Sequence, residues 1–437
     1  MLSPRAALAE LRTGPVRQRL ILGSSVGAAA GLLALLLFQA DFFRSLEHRT
    51  ADARFRLERR LAWLCPRPAA PPILILDVDN ESLRLYQAEL GRWPWPREVH
   101  GAVLDFLALG GARAVALDFL FTEPDRGNAV GDSALAASTA ALPGTFHAMV
   151  FDQPGGRRDR AARLERELLG REDRLAALPR FALPVRAPHA PDYATLDVPL
   201  AMLMEAATGL GAINLSADAD GTARREHLLH GYGGRIYPSL ALAMVLGGPS
   251  GYDRLRGASG GLVLAAAESV AAGVPGGRAR TEPLALPLDE GRLWIHWRGS
   301  YAERPYPVIP VSRVIQSYVQ ITQGGEPDLD PETFAGAWVL VGSSATGLAD
   351  IVPSPFAASE PGVMVHASLL DTLLTGDVLA SGGAGARLAF VLLAGLLTGV
   401  VVAAIPSAFW SVVAFLLLLG VVSALAVGAF LGGTILP

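Results

Sequence analysis

The sequence predicts an α/β domain with a mostly parallel sheet flanked by helices, tethered by three predicted transmembrane α-helices, one N-terminal and two C-terminal. Three observations predict this. The stretches Leu20–Ala40 and Leu388–Pro437 carry no charged side chain. Nearly all the charge of this 437-residue chain, which is 51% hydrophobic and 18% charged, lies between them. Within that charged region, short apolar runs alternate with helical stretches at the spacing of βαβ units, which implies parallel pairing and right-handed crossovers.

Residues 1–19 form a basic tail with Arg5, Arg12, Arg17 and Arg19. A helix needs about 20 apolar residues to cross a bilayer core, and 20–40 supplies one span. Its apolar core exceeds the roughly 7–15 residues of a signal peptide, and no Ala-x-Ala site closes it. The basic tail places the N-terminus in the cytoplasm and residues 41–386 outside. Arg44, Arg49, Arg54, Arg56, Arg59 and Arg60 follow the span and oppose that orientation, but long domains translocate largely regardless of charge. Arg44–Leu64 reads as a helical stalk, its apolar side formed by Leu46, Phe55, Leu57 and Leu61.

After Pro66, Pro68, Pro71 and Pro72, the run Ile73–Asp79 reads as a buried strand. Glu98–Leu109 reads as a helix stopped by Gly110-Gly111, and Ala112–Leu120 as the next strand. Arg157–Leu178 has the pattern of a charged amphipathic helix within a variable insertion near 152–199. A second insertion, rich in Gly, Ala and Ser, spans 247–290. Trp338–Gly342 is a strand, a glycine-bearing loop reaches Asp350, and Pro361–Leu374 supplies a strand or helix start and then a helix. Residues 387–406 and 408–435 fit two further spans around a turn at Ile405, Pro406 and Ser407.

Composition excludes several classes of chemistry. A net charge of −4 gives no polyanion signal, so no nucleic-acid partner is expected. Cys65 is the only cysteine, which excludes an internal disulfide and any multi-cysteine metal centre. The sequence contains no lysine. Walker-type phosphate binding, the protein-kinase lysine and a pyridoxal Schiff base all need an ε-amine, so none of them is available. No cofactor and no metal is expected.

Candidate site residues come from two patterns. In Gly91–Arg97, Trp93 and Trp95 form a rigid aromatic plate around a proline, with Arg92 and Arg97 able to grip a planar anion; the alternative is a rigid loop covering the sheet edge. Asp77, Asp79, Asp118 and Asp350 stand at or near the carboxyl ends of predicted parallel strands, where open α/β sheets place ligands. There they could hold a cation or share a proton, or cap helices and satisfy loop amides. His366 lies on the apolar stretch Val363–Leu370, as a buried hydrogen-bonded histidine or as a ligand.

Three local motifs are incomplete. Asp77-Val-Asp79 resembles the first motif of haloacid-dehalogenase-type phosphatases, in which the first Asp is the nucleophile and the second an acid. Glu81 and Ser82 depart from it, and the family's basic residue could here only be Arg. Asp218-Ala-Asp220-Gly221 matches the opening of an EF-hand loop without its closing carboxylate, so a turn is expected. Gly342–Gly347 could offer amides to an anion, but Leu348 and Ala349 stand in place of the Lys and Ser/Thr of a phosphate-binding loop.

The ordered set of motifs resembles the second type of CHASE domain, the extracellular sensory module of bacterial cyclases and histidine kinases. The residues that carry this are Asp52-Ala-Arg-Phe55, Ile75–Asp79 with Ser82, Gly91–Arg97, Ala116–Phe121 with Glu123-Pro-Asp125, and Gly211–Asn214 with Asp218–Arg225. Tyr237–Leu242, Val339–Asp350 and Pro361–Ala367 follow in the family's order. The resemblance implies a periplasmic or extracellular sensor in the bacterial inner membrane. It also implies three C-terminal spans and a cytoplasmic output: a nucleotide cyclase, histidine kinase, diguanylate cyclase or Ser/Thr kinase. Only two such spans are visible, so the chain is expected to break before a further span and the output domain. A homodimer responding to an unknown small-molecule or physical stimulus is expected, with no catalytic residue in this chain. The alternatives are an extracytoplasmic hydrolase using Asp77 and Asp79, and a non-catalytic membrane scaffold.

Overall fold

Strands buried on both faces read as continuous apolar runs, and Ile73–Val78 is buried along its whole length. The computed structural model describes residues 15–39, 44–69, 71–125, 128, 130–152, 172–266, 282–348 and 350–436. They form two compact units, Pro66–Val378 and the pair of terminal segments Met1–Cys65 and Leu379–Pro437.

The terminal segments are helical. Helix α1 spans Pro15–Gln39 and α2 spans Arg44–Arg60. In the central unit, β1 (Ile73–Val78) is followed by the short α3 (Asn80–Leu85), α4 (Arg97–Leu109) and β2 (Ala114–Leu117). Next come α5 (Gly131–Ala141), β3 (Thr145–Asp152), β4 (Thr195–Asp197), β5 (Gly209–Ala212) and α6 (Leu240–Gly247). The unit closes with β6 (Val308–Pro310), α7 (Val311–Thr322), β7 (Trp338–Ser343) and α8 (Gly362–Thr375). Helices α9 (Ala384–Ala404) and α10 (Ala408–Leu431) complete the terminal unit.

The seven-stranded sheet has the order β6–β1–β7–β2–β3–β4, with β5 also paired to β3. All its pairings are parallel except β4 on β3. Residue alternation divides the strands between two layers. Leu74, Leu76, Val115, Leu117, Val339 and Val341 enter one core with residues of α4 and α7. Helix α8 packs on the opposite face. A Cβ on Gly342 would stand 2.7 Å from Val363 Cβ, so glycine there is what lets α8 approach β7.

Several expected boundaries change. The strand expected over Ala112–Leu120 is only Ala114–Leu117, because Asp118 turns out of the ladder after its amide bonds to Val341 O. Residues 157–171 of the expected Arg157–Leu178 helix lie outside the described residues; Glu172–Ala177 is helical and Leu178–Phe181 is a 3-10 turn. The second insertion holds a three-stranded antiparallel sheet, Tyr252–Ala258, Gly261–Ala266 and Leu284–Pro287. Residues 267–281 of it lie outside the described residues.

Buried ion pairs join distant parts of the central unit. Arg67 donates through Nε to Asp377 at 2.7 Å and through its terminal nitrogens to the carbonyls of Trp297 and His296. Burial would raise the Asp377 pKa, but His296 and Arg67 outweigh it and hold the carboxyl well below the ordinary carboxylate range. Arg298 pairs with the fully buried Asp371 of α8, which also accepts from Tyr306 Oη at 2.9 Å, and Arg298 donates to Pro68 O at 2.9 Å. The first and last residues of this unit are therefore tied to one central segment.

In the terminal unit, Gly23, Gly27 and Gly31 of α1 face Gly395, Gly399 and Ala403 of α9. Among the described residues one helix, Ala408–Leu431, is long and apolar enough to cross a membrane; Ile21–Ala34 and Leu388–Ala404 are shorter apolar stretches.

Candidate functional site

Strand order builds the site. β7 inserts between β1 and β2, so the loops after all three strands meet at the carboxyl edge of the sheet, where parallel sheets present ligand-binding groups. Asp77 shares the parity of Ile73 and Ile75, and Asp118 that of Ala114 and Ala116. Both side chains therefore point to the α8 face.

Asp77 is almost fully buried, and both its oxygens accept protein hydrogen bonds. Ser344 donates from its amide at 2.7 Å and from Oγ at 2.5 Å, and Tyr301 Oη donates at 2.6 Å. Desolvation raises the Asp77 pKa, and the bonds from Ser344 and Tyr301 offset part of that rise. Asp79 is the N-cap of α3, accepting from Ser82 N at 2.7 Å. The first carboxylate is saturated and the second is a cap, so the pair is not set out as nucleophile and acid.

Asp118, Asp350 and His366 converge. Asp118 Oδ1 lies 3.9 Å from His366 Nε2, and His366 Nδ1 has no hydrogen-bond partner among the described residues. Burial pushes Asp118 up to about 8, with the nearby charge of Asp350 adding to the rise. Burial also holds His366 down to about 4. Near neutral pH the contact thus joins an uncharged acid to an uncharged imidazole. Asp350 itself is exposed on the loop after β7.

This arrangement has a measurable consequence. A carboxyl raised from 3.8 in the unfolded chain to about 8 in the fold contributes stability that is full below 3.8 and is lost as pH climbs through 8. His366, lowered, works in the opposite sense between about 4 and 6.5, so the Asp118 slope emerges above 6.5. Glu226, pushed up to about 7 mainly by burial, adds to the slope in the lower part of that window. Asp118→Asn keeps the shape of the uncharged acid. The thermal midpoint of wild type should fall from pH 6.5 to 8.5 and that of the variant should fall less; parallel curves would refute the assignment.

The aromatic heptapeptide lies beside this edge. Trp93 packs against Trp95 at 5.5 Å, His100 at 5.5 Å and Phe119 at 5.1 Å between ring centroids. Trp95 is buried, and its Nε1 has no partner among the described residues. Arg97 is taken up by the protein: it lies over Phe121 at 4.6 Å, stands 3.6 Å from Asp132 and donates to Glu123 O. Asn80 and Thr346 bond to each other across the β1 and β7 loops. Tyr301 carried no local signal in the sequence, and Ser344 lies in the Gly342–Gly347 loop, whose amides the sequence makes available to an anion; that each serves Asp77 comes from a partner more than 200 residues away.

The EF-hand-like turn holds arginine where a cation would sit. Arg224 donates to Asp218 at 3.3 Å and to Asp220 at 2.9 Å, and Arg225 donates to Asp218 at 2.7 Å. Among the described residues no group of three or more His, Cys, Asp or Glu side chains is placed to hold a metal ion.

The sequence model of the CHASE2 domain matches residues 29–405. The chain belongs to the CHASE2 family. CHASE2 domains are sensory, extracellular and non-catalytic parts of membrane receptors, which associates this chain with a membrane. Comparison with curated proteins and with solved structures finds no match. Within this CHASE2 fold, the converging residues are Asp118, Asp350 and His366, Asp77 is held separately by Ser344 and Tyr301, and Trp93, Trp95 and Arg97 form a neighbouring aromatic group.

Proposed function

We infer that this chain is the extracytoplasmic sensory input module of a bacterial membrane signalling receptor. In this reading α1, α9 and α10 cross the inner membrane, the receptor is a homodimer, and the output is a cyclase, histidine kinase, diguanylate cyclase or Ser/Thr kinase. The observation that carries the reading is the extent of the CHASE2 match, which starts within α1 and ends just after α9 and so takes in the second part of α1 and all of α9. The geometry supports it with a route. Helix α8 carries His366 in its first half, near the carboxyl edge, and Asp371 in its second; Arg298 joins Asp371 to Pro68 O, and Asp377, just after the helix, pairs with Arg67, so the end of α8 is tied to the segment that opens the central unit. A stimulus that favours one placement of α8 would shift the population of that placement and move the two tied segments leading to the membrane together.

Topology is the direct test. A single cysteine at Arg256, an exposed position on the antiparallel sheet, in a Cys65→Ser background should react with a membrane-impermeant maleimide in intact spheroplasts. Labelling only after permeabilisation would place the domain inside and end the sensor reading.

A further inference from the structure

We propose that the cleft lined by Arg84, Gln87, Arg92, Trp93, Asn80 and Thr346 is a binding site for a small planar organic anion, of the aromatic carboxylate class. The cleft encloses about 490 Å³, within the range of roughly 300–1,000 Å³ typical of ligand pockets. It opens at the carboxyl ends of β1 and β7, beside the converging carboxylates but separate from them.

Its cations are unspent. The arginines at the buried joints of the central unit are matched to carboxylates: Arg67, Arg97, Arg224, Arg225, Arg292 and Arg298 each face an acid within 4 Å, whereas surface arginines such as Arg256 have no such partner among the described residues. Of the two arginines that bracket the tryptophans, Arg97 is consumed in this way. Arg92 has no hydrogen bond or ion pair among the described residues. Arg84 donates only Nε, to Asn80 O at 3.1 Å, and its terminal nitrogens have no partner there. Neither Glu81 nor Glu89, the carboxylates nearest in sequence, pairs with either arginine.

The wall between them is rigid. Trp93 is fixed by Trp95, His100 and Phe119, so its indole is preorganised, and Leu83 adds an apolar surface. The mutual bonds of Asn80 and Thr346 fix the far rim. A planar ring stacked on the indole, with a carboxylate taken by the fork of one guanidinium, uses each of these groups. As the stimulus of the receptor this ligand rests on the sensor reading above. As a binding event it stands apart from membrane topology, so failure of one leaves the other standing.

The test uses the full chain in detergent, with tryptophan fluorescence and the thermal midpoint as readouts and benzoate as probe. Benzoate should quench saturably and raise the midpoint; benzamide, which loses the charge-assisted hydrogen bond, should bind at least about tenfold more weakly, and acetate and inorganic phosphate, which lack the ring that stacks on the indole, should also bind more weakly than benzoate. One of the two substitutions Arg92→Gln and Arg84→Gln, whichever removes the guanidinium whose fork takes the carboxylate, should weaken benzoate at least about tenfold. Arg256→Gln, the same charge change away from the cleft, should not. No saturable response to benzoate, equal binding of benzamide or of phosphate, or equal weakening by Arg256→Gln would each overturn the proposal.

Discussion

Arg298→Met is expected to destabilise the central unit by about 3–5 kcal/mol, because it leaves a buried carboxylate without its cation. Asp371 is fully buried, and the Arg298 side chain is only 16% exposed, so solvent screening gives little relief. Tyr306 still donates one hydrogen bond, which cannot replace a bidentate charge partner. At about 2–4 °C per kcal/mol, the thermal midpoint should drop by roughly 6–20 °C. Arg298→Met combined with Asp371→Leu should recover part of that loss, since the stranded charge is gone. The remainder is the Tyr306 hydroxyl without an acceptor, about 1–3 kcal/mol. A single variant that melts within a degree or two of wild type would show the pair to be dispensable.

The same network shows which parts of the molecule could be read from residues alone. Ile73–Val78 announced itself as a strand by an unbroken apolar run, and Gly110-Gly111 marked the end of α4, because both signals are local. The apolar, uncharged character of α9 from Leu388 onward and of α10 was equally plain. Nothing local reports that β7, late in the chain, inserts between β1 and β2. That insertion gives Asp77 its Ser344 partner and brings the Asp350 loop near Asp118. The sequence placed four aspartates at strand ends; pairing order separated a saturated carboxylate, a helix cap and a raised acid among them. Arg92 and Arg97 looked equivalent around the tryptophans. Only the positions of Asp132, Phe121 and the Glu123 carbonyl distinguish the arginine held by the protein from the one facing the cleft.

Gly27→Leu is expected to separate α1 from α9. A Cβ on Gly27 would lie 2.6 Å from Gly395 O and 3.1 Å from Gly399 Cα, and one on Gly399 would lie 2.2 Å from Gly23 O. These are main-chain atoms, which cannot rotate aside, so a side chain forces the axes apart. Small residues repeated every fourth position allow this backbone-to-backbone packing in bilayers, where van der Waals contact replaces the hydrophobic effect between helices. In contrast, an apolar cleft of about 990 Å³ opens among α1, α9 and α10, lined by Val26, Phe390, Phe415 and Leu419. In the proposed receptor, α1 and α9 therefore move as one body and α10 is the freer helix. Gly31→Cys with Leu392→Cys, in a Cys65→Ser background, reports the pair directly, since a Cβ on Gly31 lies 3.6 Å from Leu392 Cα. The disulfide should form under mild oxidation, disappear when Gly27→Leu is added and persist with Gly420→Leu, whose added Cβ would meet nothing within 4 Å. Cross-linking that survives Gly27→Leu would mean that the helices tolerate a side chain at this contact, and the coupling of α1 to α9 could not then be what carries a signal past the membrane.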